Sequence, residues 1–196
     1  MKKGLWVVLG LLVVFVIWGI SVRNGLVTQE EGVKEKWSQV ENVYQRRLDL
    51  IPNLVNTVKG YASHEKETLE GVVEARAKAT QISGSALSNV INDPQAFQKF
   101  QESQAGLSSA LSKLMVVVER YPDLKANQNF LELQSQLEGT ENRIAVERKR
   151  YNEAAKDFNV SVRRFPTSLI AGFSGFKEKA YFQAEQGASK APEVKF

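Results

Sequence analysis

The first pattern along the chain is an uninterrupted run of mostly apolar, uncharged residues at positions 4–22. As a helix the run spans ~28 Å at 1.5 Å per residue, about the hydrocarbon thickness of a bilayer. We therefore predict one membrane-spanning helix and a short linker over residues 1–27. The predicted lipid-facing residues are Leu5, Trp6, Val7, Leu11, Leu12, Phe15, Ile17, Trp18 and Ile20.

Two other interpretations of this run fit the sequence less well. A cleaved signal peptide has a shorter apolar core and a small-residue cleavage site, which residues 17–21 do not offer. A buried core helix is disfavoured by Lys2 and Lys3 at its flank. These two lysines outweigh Arg23, the one basic residue close behind the run, and predict that the N-terminus faces the cytoplasm and the remaining chain lies outside.

After the run, apolar residues recur at steps of three or four, as on one face of a helix. Thr28 and Glu31 have the spacing of a capping box and predict that the first bundle helix begins there. Pro52 removes one backbone hydrogen bond and predicts a kink. The periodic apolar positions are Val33, Trp37, Val40, Tyr44, Leu48, Ile51, Val55 and Val58.

Three further helices are predicted in the same way. The second begins after Ser63 and gives way to a Ser-, Asn- and Gly-rich linker at 80–93. Asp93 followed by Pro94 predicts the start of the third, because an acidic cap before proline favours a helix N-terminus. The fourth is predicted over 127–164. No segment alternates like a strand, so the predicted fold class is all-α.

Polar residues lie close to the apolar stripes of the first and fourth helices. Asparagine is a mediocre helix former, so several in one helix suggest a use. We interpret the set as an inter-helix hydrogen-bond network that fixes register, and leave open a ligand or ion site and simple solvent exposure. The candidate network is Asn42, Arg46, Arg47, Asp49, Glu141, Asn142, Asn152 and Asn159.

Composition narrows the chemistry. The 196 residues contain no cysteine, which excludes disulfides and thiolate metal sites. The net charge of +4 comes from interleaved basic and acidic residues, so a nucleic-acid surface is not indicated. His64 is the only histidine, and Ser63 and Lys66 have a serine–lysine spacing without the companion motifs that such enzymes carry. We predict no catalytic residue, no metal and no cofactor.

Several segments closely resemble the LemA family of bacterial membrane-anchored proteins. The most specific is RRLDLIPNLV within residues 42–55. The others lie at 57–62, 119–127, 138–144 and 192–196.

The resemblance implies an N-terminal anchor, an antiparallel, up-and-down four-helix bundle over 28–165 and a tail over 166–196. It carries no established catalytic residues and implies a membrane-associated protein; one relative acts in building magnetosome membranes. It also implies the opposite orientation to the lysine flank, because family members have been described with the bundle in the cytoplasm.

The predicted function is a non-enzymatic scaffold, single-pass in the bacterial cytoplasmic membrane. It would bind lipid through the anchor and associate with copies of itself or with other envelope proteins. The alternative is a membrane-tethered sensor that binds a small ligand or ion around Asn42, Arg47, Asn142 and Asn152.

The tail offers a second membrane contact. An up-and-down order would return the end of the fourth helix to the membrane, and the tail has the apolar stripe and lysines of a short interfacial helix. The alternative is a tail packed on the bundle. The candidate contact residues are Arg163, Arg164, Phe173, Phe176 and Lys177.

Overall fold

The structure, a computed structural model, describes residues 2–85 and 90–183, with side chains except at positions 2, 3, 5 and 83–85. Within these ranges the protein has six helices and no strand, which confirms the all-α prediction. The helices are α1 (Lys2–Tyr61), α2 (Lys66–Ser85), α3 (Pro94–Val118), α4 (Pro122–Lys125), α5 (Gln128–Arg163) and α6 (Thr167–Ser174).

The longest element, α1, joins the apolar run to the first bundle helix without a break. Its 60 residues extend for about 90 Å. The predicted helix start at Thr28 is wrong, because the Thr28 hydroxyl donates to the carbonyl of Asn24 (3.1 Å) from inside α1. The predicted linker before Thr28 is helical as well. No proline interrupts it, and none of its described residues has a positive φ.

Pro52 lies inside α1 and leaves one backbone carbonyl without its helical partner. Proline has no N–H, so the carbonyl of Leu48, four residues earlier, cannot receive the usual hydrogen bond. Arg76 of α2 supplies the missing donor, with its Nε 2.9 Å from the Leu48 oxygen. The proline therefore creates a polar site on α1 that fixes where α2 packs.

The starts of α3 and α5 are capped by side chains. Asp93 accepts from the backbone N–H groups of Gln95 (2.8 Å) and Ala96 (3.3 Å), which confirms the predicted start. Asn127 accepts from the N–H of Phe130 (3.0 Å), so α5 begins within one residue of its prediction. The predicted linker at 80–93 is helical as far as Ser85, and residues 86–89 lie outside the described chain.

The helices pack in two pairs: α1 lies along α5 and α2 along α3, while α2 also contacts α1. The core forms two clusters. The proximal core, on the side of the apolar run, includes Leu26, Val33, Trp37, Tyr44, Phe97, Phe100, Tyr151, Phe158 and Phe182. The distal core includes Leu48, Ile51, Leu54, Val58, Ala62, Leu114, Val118, Leu124 and Phe130.

The N-terminal part of α1 stands apart from both cores. Among the described residues, α1 is the one helix long and apolar enough to cross a membrane; its most apolar 18-residue window has a mean hydropathy of 2.2 and contains no buried residue. The short helix α6 packs against α1 and α5 at the end of this segment. The apolar faces of the packed helices thus form the two cores, whereas most of the apolar run is exposed.

Candidate functional site

A buried arginine lies at the centre of the polar residues predicted on the first helix. Arg47 is 1% exposed. Its Nη1 donates to Ser108 of α3 (3.1 Å) and to Glu141 of α5 (2.9 Å), and its Nη2 donates to Gln104 of α3. Arg47 therefore ties three helices together at one level, between the two cores.

The electrostatics of this cluster suit a structural cation. The guanidinium lies 5.1 Å from the ring centroid of Tyr44, and the Glu141 carboxylate that balances its charge is partly in water. Guanidinium groups stay protonated at all ordinary pH values and do not act as bases. The buried Nε of Arg47 and Nε2 of Gln104 have no hydrogen-bond partner among the described residues. The cluster can therefore bind and orient groups beside it.

A cleft of about 590 Å³ adjoins this cluster between α3 and α5. Ser108 and Glu141 belong to both, so Arg47 lies behind the wall of the cleft. The size is that of a small-molecule site. The lining residues are Ser108, Leu111, Ser112, Met115, Gln134, Leu137, Glu138, Glu141 and Asn142.

Two asparagines on α5 hold the segment that follows α6. Asn152 donates to the carbonyl of Phe182 (3.0 Å) and accepts from its N–H (2.9 Å). Asn159 makes the same pair of bonds with Lys179, at 2.9 and 2.8 Å. Each amide thus binds one residue of the segment through both backbone groups.

The spacing of the two amides matches an extended chain. Asn152 and Asn159 are seven residues apart, which is about 10.5 Å along a helix. Phe182 and Lys179 are three residues apart, which is about 10 Å in an extended backbone. Segment 176–183 therefore runs antiparallel to α5, and we name it the tail segment.

The first anchor of the tail segment is a buried lysine. Lys179 is 3% exposed. Its ammonium donates to Glu30 of α1 (2.6 Å) and to Asn92 at the start of α3 (2.6 Å), and it lies 5.1 Å from the ring centroid of Phe158. A buried ammonium needs such partners because it loses its hydration. Lys179 joins three parts of the fold near the apolar run.

The second anchor is Phe182, which completes an aromatic cluster in the proximal core. Its ring centroid lies 4.9 Å from Phe97, 5.6 Å from Tyr151 and 6.0 Å from Trp37, and the guanidinium of Arg148 lies 4.6 Å above it. The Tyr151 hydroxyl donates to the carbonyl of Ala180 (2.9 Å). Burial raises the pKa of Tyr151, so this donor keeps its proton at all ordinary pH values.

The structure divides the predicted inter-helix network. Arg47 and Glu141 are hydrogen-bonded across α1 and α5, whereas Asn152 and Asn159 bind the tail segment and not another helix. The other four have exposed side chains, and Asp49 accepts from Gln45 of its own helix (2.7 Å). Those exposed four are Asn42, Arg46, Asp49 and Asn142.

The predicted membrane residues lie mostly on open surface. Seven of the lipid-facing set are exposed from the protein, Trp18 is half-buried, and the side chain of Leu5 lies outside the described part. The exposed seven are Trp6, Val7, Leu11, Leu12, Phe15, Ile17 and Ile20.

The predicted tail contacts divide between surface and bundle. Arg163, Arg164, Phe173 and Lys177 are exposed, and Arg163 lies 3.8 Å from Glu178. Phe176 is half-buried, with its ring centroid 6.1 Å from that of Phe158.

Three of the residues that build these sites could not be predicted from the sequence. Gln104 and Arg76 carry no local signal, because each has a partner far away in the chain. Lys179 carries no local signal either, because its partners Glu30 and Asn92 are also far away in the chain. No group of three His, Cys, Asp or Glu residues that could hold a metal occurs in the described chain.

The comparisons with known proteins agree with one another. The profile of the LemA family matches residues 36–196. Magnetosome protein MamQ 2 of Paramagnetospirillum magneticum is 30% identical over 195 residues, which cover 92% of this chain and 71% of that protein. Protein LemA of Metamycoplasma hominis is 25% identical over 167 residues, covering 85% and 71%.

Proposed function

Because this chain belongs to the LemA family, we propose that it is a non-enzymatic scaffold of the bacterial envelope. The apolar part of α1 anchors it in the cytoplasmic membrane, and residues 28–165 form an antiparallel, up-and-down four-helix bundle beside the lipid. It acts by self-association or by holding partner proteins. The relatives named as magnetosome proteins support a role at a membrane.

The observation that carries this proposal is the continuity of α1. A sensor that signals by swinging about its anchor needs a flexible joint, whereas α1 continues from the apolar run into the bundle with no proline before residue 52 to interrupt it. Lys179 adds to this rigidity by pairing with Glu30, near the end of the apolar run, from the tail segment. A rigid platform with long open helix faces is what a scaffold requires.

The experiment is a single-cysteine crosslinking scan in native membranes. The chain has no cysteine, so each variant carries one reactive position. Ser38, Val73, Val116 and Val146 are exposed on α1, α2, α3 and α5 and are each replaced by cysteine. A self-associating scaffold should give disulfide-linked dimers at one or two of the four faces and not at the others.

Photo-crosslinking at the same four positions extends the scan to other proteins. A discrete larger band in place of the dimer would mean that the scaffold holds a partner. Monomer alone at every position, by both methods and at native expression level, would contradict the scaffold proposal. The cysteine-free chain is the matched control for both methods.

The cleft beside Arg47 favours one second candidate, a ligand-binding sensor. Its polar lining and buried guanidinium could orient a small molecule. Ligands that bind only the folded state raise the melting temperature, so the full chain in detergent is melted against a panel of metabolites and metal ions. Ser112→Trp, which fills the cleft, is the control. A rise in melting temperature that Ser112→Trp abolishes would favour the sensor. If no compound changes the melting temperature, the scaffold remains the better proposal.

A further inference from the structure

The continuous helix α1 gives a depth scale for whatever packs against it. Residues 4–22 are uncharged and Arg23 is the first charged residue after them. Each helical residue advances about 1.5 Å, so Gly19 lies about 5 Å inside the end of the apolar run. Anything that contacts Gly19 therefore lies at the depth of the membrane boundary when α1 spans the bilayer.

Helix α6 makes that contact. A Cβ placed on Gly19 would lie 3.5 Å from Cδ1 of Ile170, which is ordinary van der Waals contact. Trp18 and Val22 are half-buried, although most of the run before them is exposed. One residue further along α6, Ala171 is buried in the proximal core with Leu26. These contacts place α6 beside residues 18–26 of α1.

The opposite side of α6 is apolar and has no cover in the protein. Leu169 is 51% exposed and Phe173, one helical turn further on, is 92% exposed. Residues 167–174 contain no charged side chain, whereas exposed Arg164 precedes them and exposed Lys177 follows. An uncharged apolar face between cationic ends is typical of helices that lie in the membrane interface.

From this placement we propose that α6 is a second membrane contact, embedded in the lipid interface beside α1. Leu169 and Phe173 insert below the headgroups, and Arg164 and Lys177 lie among anionic headgroups. This proposal rests on α1 as the anchor. It adds a fixed orientation, since two adjacent contacts prevent the bundle from tilting freely about one helix.

The test uses the full chain in vesicles of phosphatidylcholine and phosphatidylglycerol, with one cysteine carrying an environment-sensitive fluorophore. Phe173→Cys reports on α6. Leu11→Cys, in the middle of the apolar run and 66% exposed, reports on the anchor. Val116→Cys is the matched control, because Val116 is 71% exposed and lies far from the apolar run. Two residues later, Val118 belongs to the distal core together with Val58 of α1. Val58 is about 60 Å further along α1 than Gly19.

Lipids with a quenching nitroxide near the headgroup or deep in the acyl chain measure depth. We expect the shallow quencher to reduce Phe173 fluorescence about twofold more than that at Val116, and the deep quencher to act mainly at Leu11. Quenching at Leu11 with Phe173 no different from Val116 would overturn the α6 proposal and leave the anchor intact. Absence of quenching at Leu11 would overturn the anchor, and the α6 proposal with it.

Discussion

At the scale of residues, this fold depends on polar side chains that satisfy backbone groups. Asn152, Asn159 and Arg76 all bond to main-chain atoms of another part of the chain. Buried backbone groups without a partner are costly, so each of these side chains decides where a segment packs. Several asparagines in one helix indicate a use, but the sequence does not show which groups they bind. Their partners lie in a tail segment that has no periodic pattern of its own.

The pairing of Arg76 with Pro52 predicts a coupled effect on stability. Arg76→Leu leaves the Leu48 carbonyl without a donor and should reduce the free energy of unfolding by about 1–3 kcal/mol. In a Pro52→Ala background, residue 52 has an N–H that can donate to the Leu48 carbonyl. Arg76→Leu should then reduce the free energy of unfolding by a smaller amount, with a difference of about 1 kcal/mol or more between the two backgrounds. Denaturant unfolding of the full chain in detergent, followed by circular dichroism, measures both.

The control for this cycle is Lys78→Leu, at an exposed position of the same helix. It should behave alike in both backgrounds. An equal cost of Arg76→Leu with and without Pro52 would show that Arg76 does not compensate for the proline.

The asparagine pair predicts how firmly the tail segment is held. Asn159→Leu keeps the side-chain volume but removes both bonds to Lys179. Losing two buried hydrogen bonds should speed hydrogen exchange of the amides at 179–183 by about tenfold or more. Asn142→Leu, at an exposed position of the same helix, should leave these rates unchanged. Unaltered exchange in Asn159→Leu would mean that Lys179 and Phe182 hold the tail segment without the asparagine side chains.

At the scale of elements, the sequence predicts well where a local signal exists. Asp93 and Asn127 cap α3 and α5 because a cap depends only on the next three residues. Thr28 looks like a cap by the same rule but lies inside α1. A capping box competes with continued helix, and helix prevails here because Leu26 and Val33 are both buried in the proximal core. The burial of these two residues cannot be predicted from the four residues of the capping box.

Two glycines predict opposite effects of the same substitution. Gly139 lies inside α5 with no atom within 4 Å of an added Cβ, so Gly139→Ala should stabilise the protein by about 0.5–1 kcal/mol. Gly175 ends α6 at a φ of +77°, so Gly175→Ala should destabilise it by about 1–2 kcal/mol. Melting temperatures of the two variants and the parent chain test this pair. A rise for both would mean that the backbone at 175 relaxes out of the left-handed region.

At the scale of the whole molecule, the contacts nearest the apolar run come from distant parts of the sequence. Lys179 reaches Glu30 of α1 and Asn92 before α3, while Ile170 lies against Gly19. The end of the chain's described part therefore packs beside the apolar run of α1. An up-and-down order of helices predicts this return in outline. The particular residues could not be predicted, because they depend on the exact depth at which α6 meets α1.

The charges that flank the apolar run predict on which side of the membrane the bundle lies. Lys2 and Lys3 outweigh Arg23 close to the run and favour a cytoplasmic N-terminus. Val116→Cys in intact cells should then react with a membrane-impermeant maleimide, because the bundle lies outside. Reaction only after lysis would contradict this prediction and mean that the bundle lies in the cytoplasm. The exposed Arg163, Arg164 and Lys177 would then lie on the cytoplasmic side with the tail, adding to the positive charge there and outweighing the two N-terminal lysines.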